Sequence, residues 1–138
     1  MNKYTDPNIQ FKKLTVEKNF QFISINGKEL PLPTEIEISE SGTCNRKCSF
    51  CPRSAPGFED KKEFISNDLF NKLCDELMSF NYLGTIRFSG FVEPLIDKNI
   101  YNLIKNAREK IPLVNIELVT NGDPLNKKRL AKLFESGL

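Results

Sequence analysis

Three of the four cysteines in this 138-residue chain lie close together, at Cys44, Cys48 and Cys51. Their spacing is C-x3-C-x2-C, and a short turn containing Gly42 precedes them. Thiolates are soft, polarisable ligands, so three of them converging from one loop suit a metal centre better than core packing. The chain contains no histidine, which excludes a His-ligated zinc site, a Ser-His-Asp or Cys-His nucleophile system and a histidine general base within it.

Two kinds of metal centre are consistent with this loop. A cubane [4Fe-4S] cluster held by three cysteines keeps one iron open to an outside ligand, whereas electron-transfer ferredoxins use four cysteines. A structural zinc site would use the same three cysteines together with Cys74. Zinc motifs usually come as two C-x2-C pairs, and Cys74 stands alone in an apolar helical pattern, where core packing is its simplest role. The spacing therefore favours the cluster and leaves a non-catalytic zinc- or cluster-binding interaction module as the alternative.

The composition is typical of one globular domain, with 39% hydrophobic residues and a formal net charge of +2. So small a charge argues against nucleic-acid binding, and the basic run at residues 127–129 is interpreted as solvated surface. No apolar run reaches the length of a membrane span, and the N-terminus lacks the apolar core of a signal peptide. We therefore expect a cytoplasmic protein with no membrane partner, in which thiols stay reduced and a cysteine cluster binds metal.

Hydrophobic periodicity predicts the elements that must position the cysteine loop. Asn26-Gly27 between two short apolar runs predicts an N-terminal β-hairpin, because both central residues of a type I′ turn need positive φ. From residue 35 onward, strands alternate with helices: strands at 35–39, 85–89 and 114–119, and helices at about 66–80, 97–110 and 125–135. This alternation predicts an α/β fold whose parallel strands are joined by right-handed crossovers.

Each of the three parallel strands is followed by an unusual loop. The first is the cysteine loop, the second is residues 90–94 and the third is residues 120–122. Because ligands bind at the carboxyl ends of parallel strands, the three loops are predicted to form one site.

The motif C-N-R-K-C-S-F-C-P-R at residues 44–53, placed after the first strand of such a run, resembles the radical S-adenosylmethionine (radical SAM) superfamily. It looks most like the SPASM/Twitch-like branch, and the resemblance covers residues 35–138. It implies that Cys44, Cys48 and Cys51 hold the [4Fe-4S] cluster and that Phe50 packs near the adenine of S-adenosylmethionine.

Two further motifs carry the resemblance along the chain. The sequence F-S-G-F-V-E-P-L at residues 88–95 resembles the glycine-glycine-glutamate loop of the family, which implies that Ser89, Gly90 and Glu93 meet the methionine amino group of the cofactor. T-N-G at residues 120–122 resembles the end of the third strand in such barrels and implies a cofactor contact by Asn121. A simple Asn-Gly turn is the alternative interpretation of that last motif.

The resemblance also implies a fold and an activity. The fold would be part of a (β/α)6 TIM-like barrel, with residues 1–34 as an N-terminal extension and residues 35–138 as a radical SAM core truncated after its third β/α unit. The open iron would chelate the methionine end of S-adenosylmethionine. The reduced cluster would then cleave that cofactor to a 5′-deoxyadenosyl radical, which abstracts hydrogen from an unknown substrate. The chain would thus be a radical SAM oxidoreductase-like enzyme or its N-terminal half.

Partners follow from the same reasoning. A one-electron donor such as flavodoxin or ferredoxin would reduce the cluster. An open sheet edge in an incomplete barrel predicts self-association or assembly with another chain.

Overall fold

The computed structural model describes residues 20–138. The first part of the predicted N-terminal extension, residues 1–19, lies outside the described residues. The predicted hairpin is confirmed as antiparallel strands β1 (Phe22–Ile25) and β2 (Lys28–Pro31). Between them Asn26 and Gly27 have φ values of 52° and 75°, the positive values that a type I′ turn requires.

A parallel three-stranded sheet forms the centre of the fold and confirms the α/β class. The strands that follow the hairpin are β3 (Glu35–Ile38), β4 (Ser41–Gly42), β5 (Lys61–Phe64), β6 (Thr85–Phe88) and β7 (Asn115–Leu118). The central sheet has the order β3-β6-β7, with both pairs parallel. The three predicted helices are α1 (Asn67–Ser79) and α2 (Ile100–Lys110), which lie between strands, and α3 (Lys127–Glu135), which follows β7.

The two faces of the sheet differ because side chains alternate along a strand. Ile38, Ile86 and Phe88 belong to the buried core, and the Phe88 ring packs on Phe70 of α1 with 5.8 Å between ring centroids. The opposite face is polar. There Arg87 of β6 forms ion pairs with Glu35 of β3 at 2.6 Å and Glu117 of β7 at 2.7 Å, which link all three strands.

Capping side chains set where two of the helices begin. Ser66 accepts a hydrogen bond from the backbone N–H of Leu69 at the start of α1, and Asn126 accepts one from Arg129 at the start of α3. The predicted start of α2 near Asp97 is wrong by three residues, since the helix begins at Ile100. Pro94–Ile96 forms a 3-10 turn first, and the Asp97 carboxylate accepts from the N–H of Asn99, which delays the helix.

A second, smaller sheet is present that no sequence pattern predicts. Strands β4 and β5 pair antiparallel across the cysteine loop, and they have no periodic signal because β4 is two residues long and β5 reads Lys-Lys-Glu-Phe. Their contact is close: a Cβ on Gly42 would lie 2.2 Å from the carbonyl oxygen of Lys61. None of the helices in the described part of the chain is long and apolar enough to cross a membrane.

Candidate metal centre at the carboxyl edge of the sheet

The three loops that follow the parallel strands line one cavity of about 360 Å³. The first loop contributes the three clustered cysteines together with neighbours on either side, and the other two loops contribute residues 90–93 and 119–121. The predicted convergence of the three loops on one site is therefore confirmed. The complete lining is Cys44, Arg46, Cys48, Phe50, Cys51, Arg53, Gly90, Phe91, Val92, Glu93, Val119, Thr120 and Asn121.

Strand register explains why the loops meet. Ile38, Phe88 and Leu118 are register partners on the three strands, so the segments that follow them leave the sheet side by side. The ladder continues for one step beyond the strands, with Ser89 N–H donating to Ile38 O at 3.1 Å and Val119 N–H donating to Phe88 O at 2.9 Å. The loops thus begin from a common rigid edge.

Short hydrogen bonds give the cysteine loop its local shape. Cys51 N–H donates to the carbonyl of Cys48 at 2.9 Å, and Ser54 N–H donates to the carbonyl of Cys51 at 2.9 Å. The backbone N–H of Arg46 approaches Cys44 Sγ at 3.4 Å, and the Asn121 amide nitrogen lies 3.9 Å from the same sulfur. Cys44, Cys48 and Cys51 are partly exposed and unbridged, so their sulfurs are accessible for metal binding.

Cys74 belongs to a different environment. It is fully buried in the hydrophobic core on α1 and does not line the cavity. Burial raises the pKa of its thiol to about 11, which disfavours the thiolate that a metal needs. In residues 20–138, no three Cys, Asp or Glu side chains are grouped where a single metal ion could be held. This holds for Cys44, Cys48 and Cys51 as well, so what separates Cys74 from them is its place in the core, away from the cavity that the other three line.

Glu93 joins the second loop to the third. Its side chain is 1% exposed, and one carboxylate oxygen accepts from the Thr120 hydroxyl at 2.6 Å and from Leu95 N–H at 3.1 Å. The other oxygen accepts from Asn121 N–H at 2.7 Å. The predicted contact between Glu93 and a cofactor stays a prediction, but the carboxylate already has a structural role in ordering the residues that line the cavity.

The remaining predicted cofactor residues occupy different depths. Gly90, Phe50 and Asn121 line the cavity, and the Phe50 side chain is 89% exposed at its rim. Ser89 is buried and does not line the cavity; its carbonyl accepts from the Ser39 hydroxyl at 3.1 Å. A role for Ser89 next to a cofactor also stays a prediction.

An ion pair that the sequence did not reveal joins the first loop to the third. Both carboxylate oxygens of Asp123 accept from the guanidinium of Arg46, with the Nε contact at 2.7 Å, and Asn45 also donates to Asp123 at 3.0 Å. The hydrogen bond from Arg46 holds the pKa of Asp123 below its ordinary value. Asn121 donates to Asn45 at 2.8 Å, so a polar network closes this side of the cavity.

Gly90 is required by both conformation and space. Its φ is +116°, and a Cβ there would lie 2.1 Å from the Ser39 hydroxyl oxygen. In the described part of the chain, the other residues with positive φ are four glycines and two asparagines, Asn26 and Asn81. Val92 is not among them and has a negative φ, so Gly90 is the residue of this loop whose backbone conformation other residue types rarely adopt.

We expect Gly90→Ala to lower the free energy of unfolding by about 3 kcal/mol. An alanine would be strained at this φ and would displace the Ser39 hydroxyl from its bond to Ser89. Gly57→Ala is the matched control, since Gly57 has φ +80° but nothing within 4 Å of a built Cβ, and it should cost about 1 kcal/mol. Equal losses for the two variants in urea unfolding would contradict the packing argument.

The carboxyl of Glu40, four residues before the first cysteine, should make stability pH-dependent. Burial raises its pKa from 4.5 to about 7, and the nearby Asp97 and Glu93 add to the rise. The folded protein therefore holds a proton that the unfolded chain releases above its own pKa. The stabilisation is complete when the pH is below the pKa of Glu40 in the unfolded chain. It is lost as the pH rises through the pKa of Glu40 in the folded protein.

Urea unfolding of the wild type and Glu40→Gln at about pH 5 and about pH 8 tests this prediction. The glutamine mimics the protonated acid, so the two proteins should be similar at the lower pH. At the higher pH the wild type should be less stable than the variant by about 3 kcal/mol. A stability difference between the two proteins that does not change with pH would contradict it.

The parallel β/α arrangement, with a three-cysteine loop at the carboxyl edge of its first strand, is the one that the family motif predicts. Residues 38–138 match the family model described as the radical SAM superfamily, and the chain belongs to that superfamily. This confirms the family resemblance of the sequence. Enzymes of the superfamily use a [4Fe-4S] cluster and S-adenosylmethionine; membership of the SPASM/Twitch-like branch stays a prediction.

The chain is similar to several characterised members. It is 35% identical over 103 residues to the S-adenosyl-L-methionine-dependent 2-deoxy-scyllo-inosamine dehydrogenase of Niallia circulans, covering 75% of this chain and 41% of that protein. It is 29% identical over 107 residues to the GTP 3′,8-cyclase of a Rhizobium leguminosarum strain, covering 76% of this chain and 30% of the cyclase.

A solved structure gives the same picture of the fold. The crystal structure of BtrN in complex with AdoMet and 2-DOIA superposes with a TM-score of 0.72 at 34% identity. The match covers 78% of this chain and 43% of that one. The chain thus spans less than half the length of the relatives it matches, and those relatives are enzymes.

Proposed function

We propose that Cys44, Cys48 and Cys51 hold a [4Fe-4S] cluster and that S-adenosylmethionine binds in the adjoining cavity. The observation that carries this proposal is that the three cysteines share one cavity with Gly90, Glu93 and the third loop. The donor set fits the cluster, because three thiolates satisfy three irons and leave the fourth for an outside ligand. Superfamily membership supports the same pair of cofactors.

When bound and reduced, these groups supply the one-electron cleavage of S-adenosylmethionine to methionine and a 5′-deoxyadenosyl radical, which takes a hydrogen atom from a substrate. The protein orients the groups and excludes side reactions. In this chain Glu93 orders Thr120 and Asn121 against the second loop. The donors next to Cys44 Sγ, the Arg46 N–H and the Asn121 amide, would stabilise charge on a cluster ligand, since hydrogen bonds to the sulfurs set the reduction potential.

The cavity rim suits the nucleoside part of the cofactor. Phe50 and Phe91 are 89% and 59% exposed, and both line the cavity. Exposed aromatic rings beside a thiol-lined cavity are typical of surfaces that become buried when a ligand with an aromatic ring binds. We propose that Phe50 contacts the adenine, as the family motif implies.

The whole protein is proposed to be a radical enzyme that abstracts hydrogen from its substrate, with residues 35–138 as part of its radical SAM core and residues 1–34 as an N-terminal extension. A flavodoxin- or ferredoxin-like protein is the proposed electron donor. The relatives named above are a dehydrogenase and a cyclase. Because their names specify different reactions, the similarity supports the shared radical step and not a particular substrate.

Equilibrium dialysis with labelled S-adenosylmethionine tests the proposal. The chain should be compared before and after anaerobic reconstitution with iron and sulfide. We expect binding of about one cofactor per chain after reconstitution and a much weaker affinity before it, because the open iron is the main ligand for the methionine end. Equal binding with and without the cluster would contradict the proposal.

A further inference from the structure

We propose that Arg53 is a positioning residue that holds the loop at residues 90–93 in a fixed place relative to the three cysteines. The inference rests on the proposed function, because the distance between the two loops matters only if a cluster and S-adenosylmethionine bind between them. Arg53 follows Cys51 by two residues and would be expected on the surface, as most arginines are. Its residue exposure is instead 3%.

Contacts from three directions hold the buried guanidinium. Nη1 donates to the carbonyl of Phe91 at 2.9 Å and to the carbonyl of Gly42 at 3.3 Å. Nη2 forms an ion pair with Asp60, and the guanidinium carbon lies 5.2 Å from the centroid of the Phe58 ring. A buried charge is stable only when it is paired and hydrogen-bonded, so these contacts fix the side chain in one place.

The same contacts link the cysteine loop to the second loop. Arg53 lies in the 3-10 turn Pro52–Ser54 that directly follows Cys51, so the guanidinium is tied to the third cysteine through a short, rigid segment. In the part of the chain that the structure describes, two hydrogen bonds join residues 42–53 to residues 90–93. One is the Arg53 bond to Phe91 O, and the other is the bond from Glu93 N–H to Thr43 O at 3.0 Å.

Of these two hydrogen bonds, the one from Arg53 is the stronger, because its donor is a charged guanidinium. It fixes the peptide plane between Phe91 and Val92, and both residues line the cavity beside the cysteines. Without it, the second loop would be joined to the cysteine loop by a single backbone hydrogen bond. The loop would then sample positions in which its backbone no longer meets a cofactor bound next to Cys51.

The test combines two readouts on the full chain, for Arg53→Met, Arg53→Lys and the control Arg108→Met. Arg108 also donates to three backbone carbonyls, those of Gly137, Pro112 and Val114 at 2.9, 2.8 and 2.7 Å, but it does not line the cavity. The first readout is hydrogen exchange of peptides covering residues 89–95 in the cofactor-free protein. The second is the dissociation constant of S-adenosylmethionine in the reconstituted protein, measured beside its iron content.

For Arg53→Met we expect exchange at residues 91–93 and the dissociation constant each to rise about tenfold, as loss of a charge-assisted hydrogen bond implies, with iron content unchanged. Arg53→Lys keeps the charge but not the planar fork, so it should give intermediate values in both readouts. Arg108→Met should leave exchange at 91–93 and cofactor affinity at wild-type values.

Three results would overturn the proposal. Wild-type exchange at residues 91–93 in both Arg53 variants would mean that the side chain does not hold the loop. Faster exchange with unchanged cofactor affinity would mean that holding the loop does not matter for binding. Equal effects of Arg108→Met would mean that the changes come from general destabilisation and not from the contacts of Arg53. Failure of the proposed function is distinguishable, because the wild type would then bind no cofactor at all while the exchange comparison would still report on Arg53.

Discussion

Anaerobically reconstituted Cys48→Ser should contain less than one iron per chain, against about four in the wild type. A serine oxygen is a hard, weak ligand for iron-sulfur clusters, and Cys48 is the middle member of the three-cysteine loop. With two thiolates left, the cluster has too few protein ligands to persist. Iron and sulfide assays, together with the brown absorption of the cluster, measure the loss.

Cys74→Ala is the matched control for this experiment. Cys74 is fully buried in the core, so its replacement should leave iron content unchanged and lower the free energy of unfolding by about 1 kcal/mol through lost packing. Wild-type iron content in Cys48→Ser would contradict the cluster assignment. Loss of metal in Cys74→Ala, or purification with one zinc and no iron, would favour the zinc-holding module instead.

Replacing Glu93 with alanine should have the second large effect, on stability and on cofactor binding together. The substitution leaves the buried Leu95 N–H without its acceptor, and the partly buried Thr120 hydroxyl and Asn121 N–H without theirs. Buried donors without partners are costly, so we expect the free energy of unfolding to fall by about 3 kcal/mol. Because the second and third loops lose their link, the affinity for S-adenosylmethionine should fall as well.

Glu93→Gln refines this prediction. The glutamine keeps one acceptor oxygen, but its NH2 group would replace an acceptor that now faces a backbone N–H, so the stability loss should be smaller than that of alanine. Glu109→Gln is the control, since Glu109 is an exposed helix residue paired with Lys105 at 3.7 Å, and it should change stability by less than about 0.5 kcal/mol. Urea unfolding curves measure the free energy of unfolding of the three variants. Wild-type stability in Glu93→Ala would contradict the role assigned to the carboxylate.

Local signals explain how much of the fold could be predicted from the sequence. The Asn26-Gly27 turn and the alternation of strand and helix patterns each depend on neighbouring residues, and the structure confirms both within a few positions. The start of α2 was missed because a 3-10 turn and the Asp97 side chain precede the helix. The spacing of apolar residues that predicts an α-helix does not predict a 3-10 turn of three residues before it.

The site could be predicted only as far as its motifs extend. The three cysteines and the order of the loops are visible in the sequence, and parallel topology brings the loops to one edge. The roles of Arg53 and Asp123 could not be predicted, because their partners are distant along the chain. Arg53 contacts a carbonyl 38 residues away, and Asp123 pairs with a side chain 77 residues away. Glu40 was missed for the same reason, since its burial arises from packing and not from a pattern.

The most direct test of the account is the electron paramagnetic resonance spectrum of the dithionite-reduced, reconstituted chain, recorded with and without S-adenosylmethionine. A cluster held by Cys44, Cys48 and Cys51 has one iron without a protein ligand, and coordination of the cofactor to that iron changes the g values of the reduced cluster. We expect a [4Fe-4S] signal whose g values shift when the cofactor is added. A reduced cluster whose spectrum is the same with and without S-adenosylmethionine would contradict it.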